Sequence, residues 1–137
     1  GLFSSADLEA IHAKLRRLLH DAGASLDAIY VCPHHPDERC DCRKPETGMI
    51  DRAVRELEID LSRSYLIGDH AKDMELAKRV GAKRVWVTTS EHGELARSES
   101  DEAATVVVPS LEKAVTWILG DAGAQEQGTP VGEGRRK

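Results

Sequence analysis

Three cysteines and a histidine fall in two close pairs, Cys32-x-His34 and Cys40-x-Cys42, and no other cysteine occurs in the chain. Thiolate sulfur and imidazole nitrogen are the ligands that Zn²⁺ takes, and four of them close a tetrahedron. A closed set leaves no open coordination position, so the metal implied is structural rather than catalytic. His35 is the alternative imidazole ligand. Pro33 and Pro36 fix the local backbone and stiffen the loop. Arg43, Lys44 and Pro45 follow directly. A guanidinium grips phosphate oxygens through two parallel N–H bonds, and lysine adds a point charge. One loop can therefore hold a metal for shape and present cations to a phosphate.

A second constellation is Gly68-Asp69-x-x-x-Asp73-Met74. A carboxylate just past a strand, on a turn opened by glycine, is placed to bind Mg²⁺. Asp73 falls at the start of the following helix, where it can cap that helix or support the metal site. His70 and Lys72 flank the pair. The sequence holds no Gly-rich dinucleotide loop, no Walker motif and no recognisable Ser–His–Asp set.

Composition narrows the partners. A chain of 137 residues suits one domain, and at that size roughly 65–70% of the unfolded surface can be buried. The net charge of −5 and the 4% aromatic content argue against a general nucleic-acid or membrane-surface binder. No run is long enough to span a membrane, and no signal peptide is visible. Cysteines clustered with histidine fit a metal site in a reducing compartment, so a cytoplasmic location is expected.

These residues must be positioned by elements legible in the pattern. Ser4 or Ser5 caps a helix whose Leu8, Ile11, Leu15, Leu18 and Leu19 form one apolar stripe, and Gly23 ends it. Leu26 to Cys32 reads as a short buried strand that delivers the cysteine loop. Met49, Ile50, Ala53, Val54 and Leu57 mark the next helix. Ser64 to Ile67 is a strand ending at Gly68-Asp69, Lys72 to Val80 a helix closed by Gly81, and Arg84 to Val87 another strand. Thr88 to Glu102, with Thr89-Ser90 and Glu91-His92-Gly93, reads as loop with room for a short helix. Thr105 to Val108 is the last strand. Ser110 caps a helix through Leu119, and residues 120–137 read as a disordered tail. Alternating strands and helices predict an α/β fold with a parallel sheet, whose functional loops gather at the C-terminal strand ends. Cys32 and Asp69 are both expected at such ends, facing one crevice.

The run Ile29 to Pro36, then Cys40-Asp41-Cys42-Arg43-Lys44-Pro45, then Tyr65 to Asp69 with Lys72-Asp73-Met74, resembles the haloacid dehalogenase superfamily. Within it, the match is to the D-glycero-D-manno-heptose 1,7-bisphosphate phosphatase family, with histidinol-phosphate phosphatases as near kin. The resemblance covers residues 1–119 and implies a Rossmann-like fold with an inserted zinc loop at 32–45. It implies Mg²⁺-dependent hydrolysis of a phosphorylated small molecule through an aspartyl-phosphate, within carbohydrate metabolism on the way to a lipopolysaccharide precursor. By the same resemblance, Cys32, His34, Cys40 and Cys42 are structural Zn²⁺ ligands and Arg43 contacts substrate. Lys44 steadies the transferring phosphoryl group, Asp69 is a Mg²⁺ carboxylate with Asp73 supporting, and His70 is a flanking substrate contact.

Three departures stand out. His70 stands where a close relative carries lysine. The stretch between His34 and Cys40 is at the short end of the family's range. The family's Asp-x-Asp nucleophile motif has no counterpart here, and Gly1-Leu2-Phe3-Ser4 resembles the segment just after the family's second motif. The chain is therefore expected to lack the N-terminal strands, to leave residues 28–31 and 64–67 under-covered, and to be inactive alone. The full-length protein is expected to be a monomer. The competing readings are a histidinol-phosphate phosphatase and a non-catalytic, zinc-stabilised anion-binding module.

Overall fold

Each element lies in one of two units, residues 1–58 and 59–137. The computed structural model describes residues 4–88 and 105–127. The expected loop over Thr88 to Glu102 lies outside these from residue 89 onward.

In the first unit, helix α1 spans Ser5–Asp21. Ser4 caps it in a reciprocal box: its hydroxyl accepts the Asp7 N–H at 3.2 Å, while Asp7 accepts the Ser4 N–H at 2.9 Å. Gly23, at φ 76°, takes the left-handed position just past the end. The apolar stripe forms as expected but stays open, with Ile11, Leu15 and Leu18 all exposed. Helix α2 spans Gly48–Leu57 and buries Ala53.

The expected strand over Leu26 to Cys32 is not formed, so Cys32 does not sit at a strand end. Apolar sequence alone does not make a strand; a ladder partner does, and this unit contains no second strand among its described residues. Side chains hold the segment instead. The Tyr30 hydroxyl donates to Glu56 on α2 at 2.8 Å, and Arg52 lies 5.5 Å over the Tyr30 ring while donating to the same carboxylate at 2.7 Å. Hydrogen bonding by Arg52, then by Tyr30, holds Glu56 below the usual carboxylate range.

The second unit is a parallel α/β layer. Strands β1 (Tyr65–Gly68), β2 (Lys83–Val87) and β3 (Val106–Val108) lie in that order, with Ile67 beside Val85 and Val85 beside Val106. Helix α3 (Ala71–Val80) supplies the first crossover. It starts at His70, whose Nδ1 accepts the Lys72 N–H at 3.2 Å, and stops at Gly81 with φ 77°. The core forms where helix α4 (Leu111–Gln127) meets the sheet, with Ala114 fully buried among Val85, Val87 and Val108 and with Trp117 and Ile118 packed alongside. Alternation along β2 turns Trp86, also buried, to the opposite face. β1 is only half-buried along its length.

The last helix corrects the expected tail. It does not stop at Leu119 but runs to Gln127, so residues 120–127 are helical. A polar anchor explains the extension: Asp121 accepts from the Tyr65 hydroxyl at 2.5 Å and pairs with Lys83, tying the helix to the start of β1 and β2.

Candidate functional site

The first unit gathers the four proposed ligands into one cluster. Cys32 Sγ lies 3.6 Å from His34 Nδ1, 3.7 Å from Cys40 Sγ and 3.2 Å from Cys42 Sγ, and Cys42 Sγ lies 3.2 Å from His34 Nδ1. All four ligand atoms fall within 4.8 Å of one another. A tetrahedral Zn²⁺ with Zn–S near 2.3 Å and Zn–N near 2.0 Å sets ligand edges of about 3.5–3.8 Å. The cluster is close to that size, and its donors are the soft set that zinc takes, so the residues fit the ion. His34 rather than His35 joins it. His35 instead pairs with Asp37 at 3.3 Å on the exposed side of the loop.

Three thiols this close cannot all ionise without a cation, and they divide the charge. Burial pushes Cys40 up, but backbone hydrogen bonds from Arg43 and Cys42, with the Cys32 and Cys42 thiols, outweigh it and leave Cys40 below the ordinary thiol range. Cys42 is pushed up to about 12, first by its hydrogen bond to Cys32, then by burial and by Cys40. A bound divalent ion reverses this division by favouring all three thiolates.

Two backbone contacts set the shape of the loop. The Gly48 N–H donates to the Asp41 carbonyl at 2.8 Å, which binds the Cys40-Asp41-Cys42 turn to the first residue of α2. The Glu46 N–H donates to the Arg43 carbonyl at 2.9 Å and closes a turn around Lys44 and Pro45, whose peptide bond is cis. Arg43 is half-buried and donates from Nη2 to the His34 carbonyl. Its Nε is buried with no hydrogen-bond partner among the described residues. Lys44 is exposed.

In the second unit, Asp69 follows the last residue of β1 and is exposed. Asp73, by contrast, is 5% exposed, the one charged side chain buried among the described residues. It packs on Gly68 so closely that a Cβ there would lie 2.3 Å from Asp73 Cβ and 2.6 Å from its Oδ2. Glycine at the strand end therefore admits the Asp73 side chain against the end of β1. His70 acts as the cap of α3, with Nδ1 engaged as an acceptor; this is a local task that the sequence pattern offered to Asp73. Sequence reading missed Gly48 as the closure of the metal loop, although a glycine at the first helical turn beside a ligand pair was the available signal.

Comparison with known proteins identifies the family. A family model described as HAD-hyrolase-like matches residues 41–114. The D-glycero-beta-D-manno-heptose-1,7-bisphosphate 7-phosphatase of Photorhabdus laumondii is 44% identical over 120 residues, covering 81% of this chain and 62% of that protein. The enzyme of the same name from Pseudomonas putida is 39% identical over 111 residues, covering 81% and 63%. The chain thus spans under two thirds of the length of these curated relatives. Among solved structures, D,D-heptose 1,7-bisphosphate phosphatase from Bordetella bronchiseptica, complexed with magnesium and phosphate, superposes with a TM-score of 0.71 at 33% identity, covering 94% of this chain and 68% of that one. The chain belongs to the haloacid dehalogenase-like hydrolase family, as a relative of the heptose bisphosphate phosphatases.

Proposed function

We propose that this chain carries the metal loop and the Mg²⁺ carboxylates of a phosphatase that removes the 7-phosphate of D-glycero-D-manno-heptose 1,7-bisphosphate. The observation that carries this reading is contiguity. Four converging metal ligands run directly into Arg43 and Lys44, in a chain 44% identical to an enzyme of that name.

In this reading Cys32, His34, Cys40 and Cys42 hold structural zinc. Arg43 meets a substrate phosphate, and Lys44 balances charge on the phosphoryl group as it transfers. Asp69 holds Mg²⁺ and Asp73 supports it from behind Gly68. Bound Mg²⁺ supplies neutralisation of the phosphoryl oxygens. His70 lends a flanking contact through Nε2, since Nδ1 is occupied by the Lys72 N–H. The chemistry needs a carboxylate that attacks phosphorus while the sugar oxygen leaves with a proton, followed by hydrolysis of the acyl phosphate by water. No Asp-x-Asp pair occurs in the 137 residues, so the isolated chain is inactive in this account. Three reduced thiols suit the cytoplasm, and the complete protein acts as a monomer.

The test is phosphate release by the complete gene product from heptose bisphosphate and from histidinol phosphate, with Mg²⁺ and with a chelator. Mg²⁺-dependent turnover of the heptose is expected. Preference for histidinol phosphate overturns the substrate assignment. Turnover of neither substrate by a zinc-loaded protein overturns the catalytic reading in favour of an anion-binding module.

A further inference from the structure

The loop is tied by a backbone contact as well as by its cluster of ligands. Residues 35–39 between the ligand pairs are all exposed, and their ties are local: the Glu38 N–H to the His35 carbonyl at 3.0 Å, and His35 with Asp37. Beside the contacts among the ligands themselves, Arg43 Nη2 reaches nine residues back across the loop to the His34 backbone carbonyl. His34 is thereby held at two points, its ring by the thiols and its carbonyl by Arg43. Burying Nε without a partner is costly. A side chain kept there against that cost is held in position rather than swinging free in solvent.

The charge balance points the same way. One Zn²⁺ with three thiolates and a neutral imidazole carries a net charge of −1, and Arg43 brings +1 from the residue next to Cys42. A guanidinium has five N–H donors, so one bond to a carbonyl leaves others for an anion.

We propose that Arg43 is a positioning residue for the metal loop as well as an anion contact, closing the loop through the His34 backbone. Metal retention and anion binding then share one side chain. Coupling between two ligands is reciprocal: zinc aids anion binding at Arg43 by the same factor that the anion aids zinc retention. The inference rests on the metal reading of the four ligands and is independent of whether the complete protein is a phosphatase.

The experiment loads the 137-residue chain with zinc, confirms one ion per chain by elemental analysis, and follows zinc transfer to a chromogenic chelator. Partners that orient metal ligands typically change affinity 10- to 100-fold. Arg43→Gln should release zinc about 10-fold faster or more, with Arg43→Lys intermediate. Arg39→Gln, which removes an exposed charge from the same loop, should release it at the unaltered rate. Equal rates for Arg43→Gln and the unaltered chain overturn the proposal, as does an equal acceleration by Arg39→Gln. Absence of bound zinc overturns it together with the metal reading. Should Arg43→Gln lose its helical circular dichroism, the unaltered chain decides: the Arg43 Nε–H should exchange slowly with zinc and rapidly after stripping. Exchange unchanged by stripping overturns the proposal.

Discussion

The Gly48 N–H donates to the Asp41 carbonyl at 2.8 Å, and a Cβ on Gly48 would stand 2.6 Å from that same oxygen. Helix α2 thus begins against the turn that carries two metal ligands, with no room for a side chain. The neighbouring atoms are all backbone, so nothing flexible can give way. Helix propensity alone predicts that Gly48→Ala stabilises by about 0.5–1 kcal/mol. The contact predicts the opposite sign, a loss of about 1–3 kcal/mol. Thermal melting of the zinc-loaded variant separates the two, and a raised Tm would contradict the clamp.

The division of charge among the thiols has a direct readout. The thiolate is the reactive form. In the metal-free chain Cys40, held low, should be alkylated by iodoacetamide at neutral pH ahead of Cys42, held at about 12. Peptide mapping by mass spectrometry gives the order, and Cys42 reacting ahead of Cys40 would contradict it. The sign for stability follows. A thiol raised above its ordinary 9.0 favours folding below that pH and loses its contribution as pH rises toward 12. The metal-free chain should therefore weaken across that window.

Gly68 and Asp73 form one packing unit. Gly68→Ala should cost about 1–3 kcal/mol by overpacking, because the added Cβ meets Asp73 Cβ rather than a flexible tip. Removing the obstructing side chain with Asp73→Gly in the same molecule should recover part of that loss. A double-mutant cycle by denaturant unfolding should give coupling of about 1 kcal/mol or more; strict additivity would deny the contact.

The fold was legible where the signal was local. Ser4 with Asp7, Gly23 and Gly81 mark helix ends because capping and left-handed backbone belong to one or two residues. Four ligands packed into eleven residues were legible for the same reason. The segment before Cys32 was misread because strand formation depends on a partner elsewhere, which apolar composition does not report. The end of α4 was misread because Gly120 and Gly123 suggest a stop, while the Asp121 contacts that carry the helix onward join residues 38 and 56 positions apart.

Those contacts yield a prediction of their own. Asp121→Ala strips a partner from both the Tyr65 hydroxyl and Lys83, and should cost about 1–3 kcal/mol. Ending the chain at Leu119 should cost at least as much. Chemical denaturation measures both, and an unchanged midpoint for either would mean that residues 120–127 contribute nothing to the unit.

The central claim is that the metal loop presents Lys44 and Arg43 to a transferring phosphate. The most direct measurement is phosphate release from heptose bisphosphate by the complete gene product, zinc-loaded and with Mg²⁺, compared with its Lys44→Ala variant. The account predicts turnover by the unaltered protein and a loss of roughly 100-fold or more in kcat/KM for the variant, about 2.7 kcal/mol of transition-state stabilisation, with zinc content unchanged. A variant that keeps the unaltered rate would contradict it.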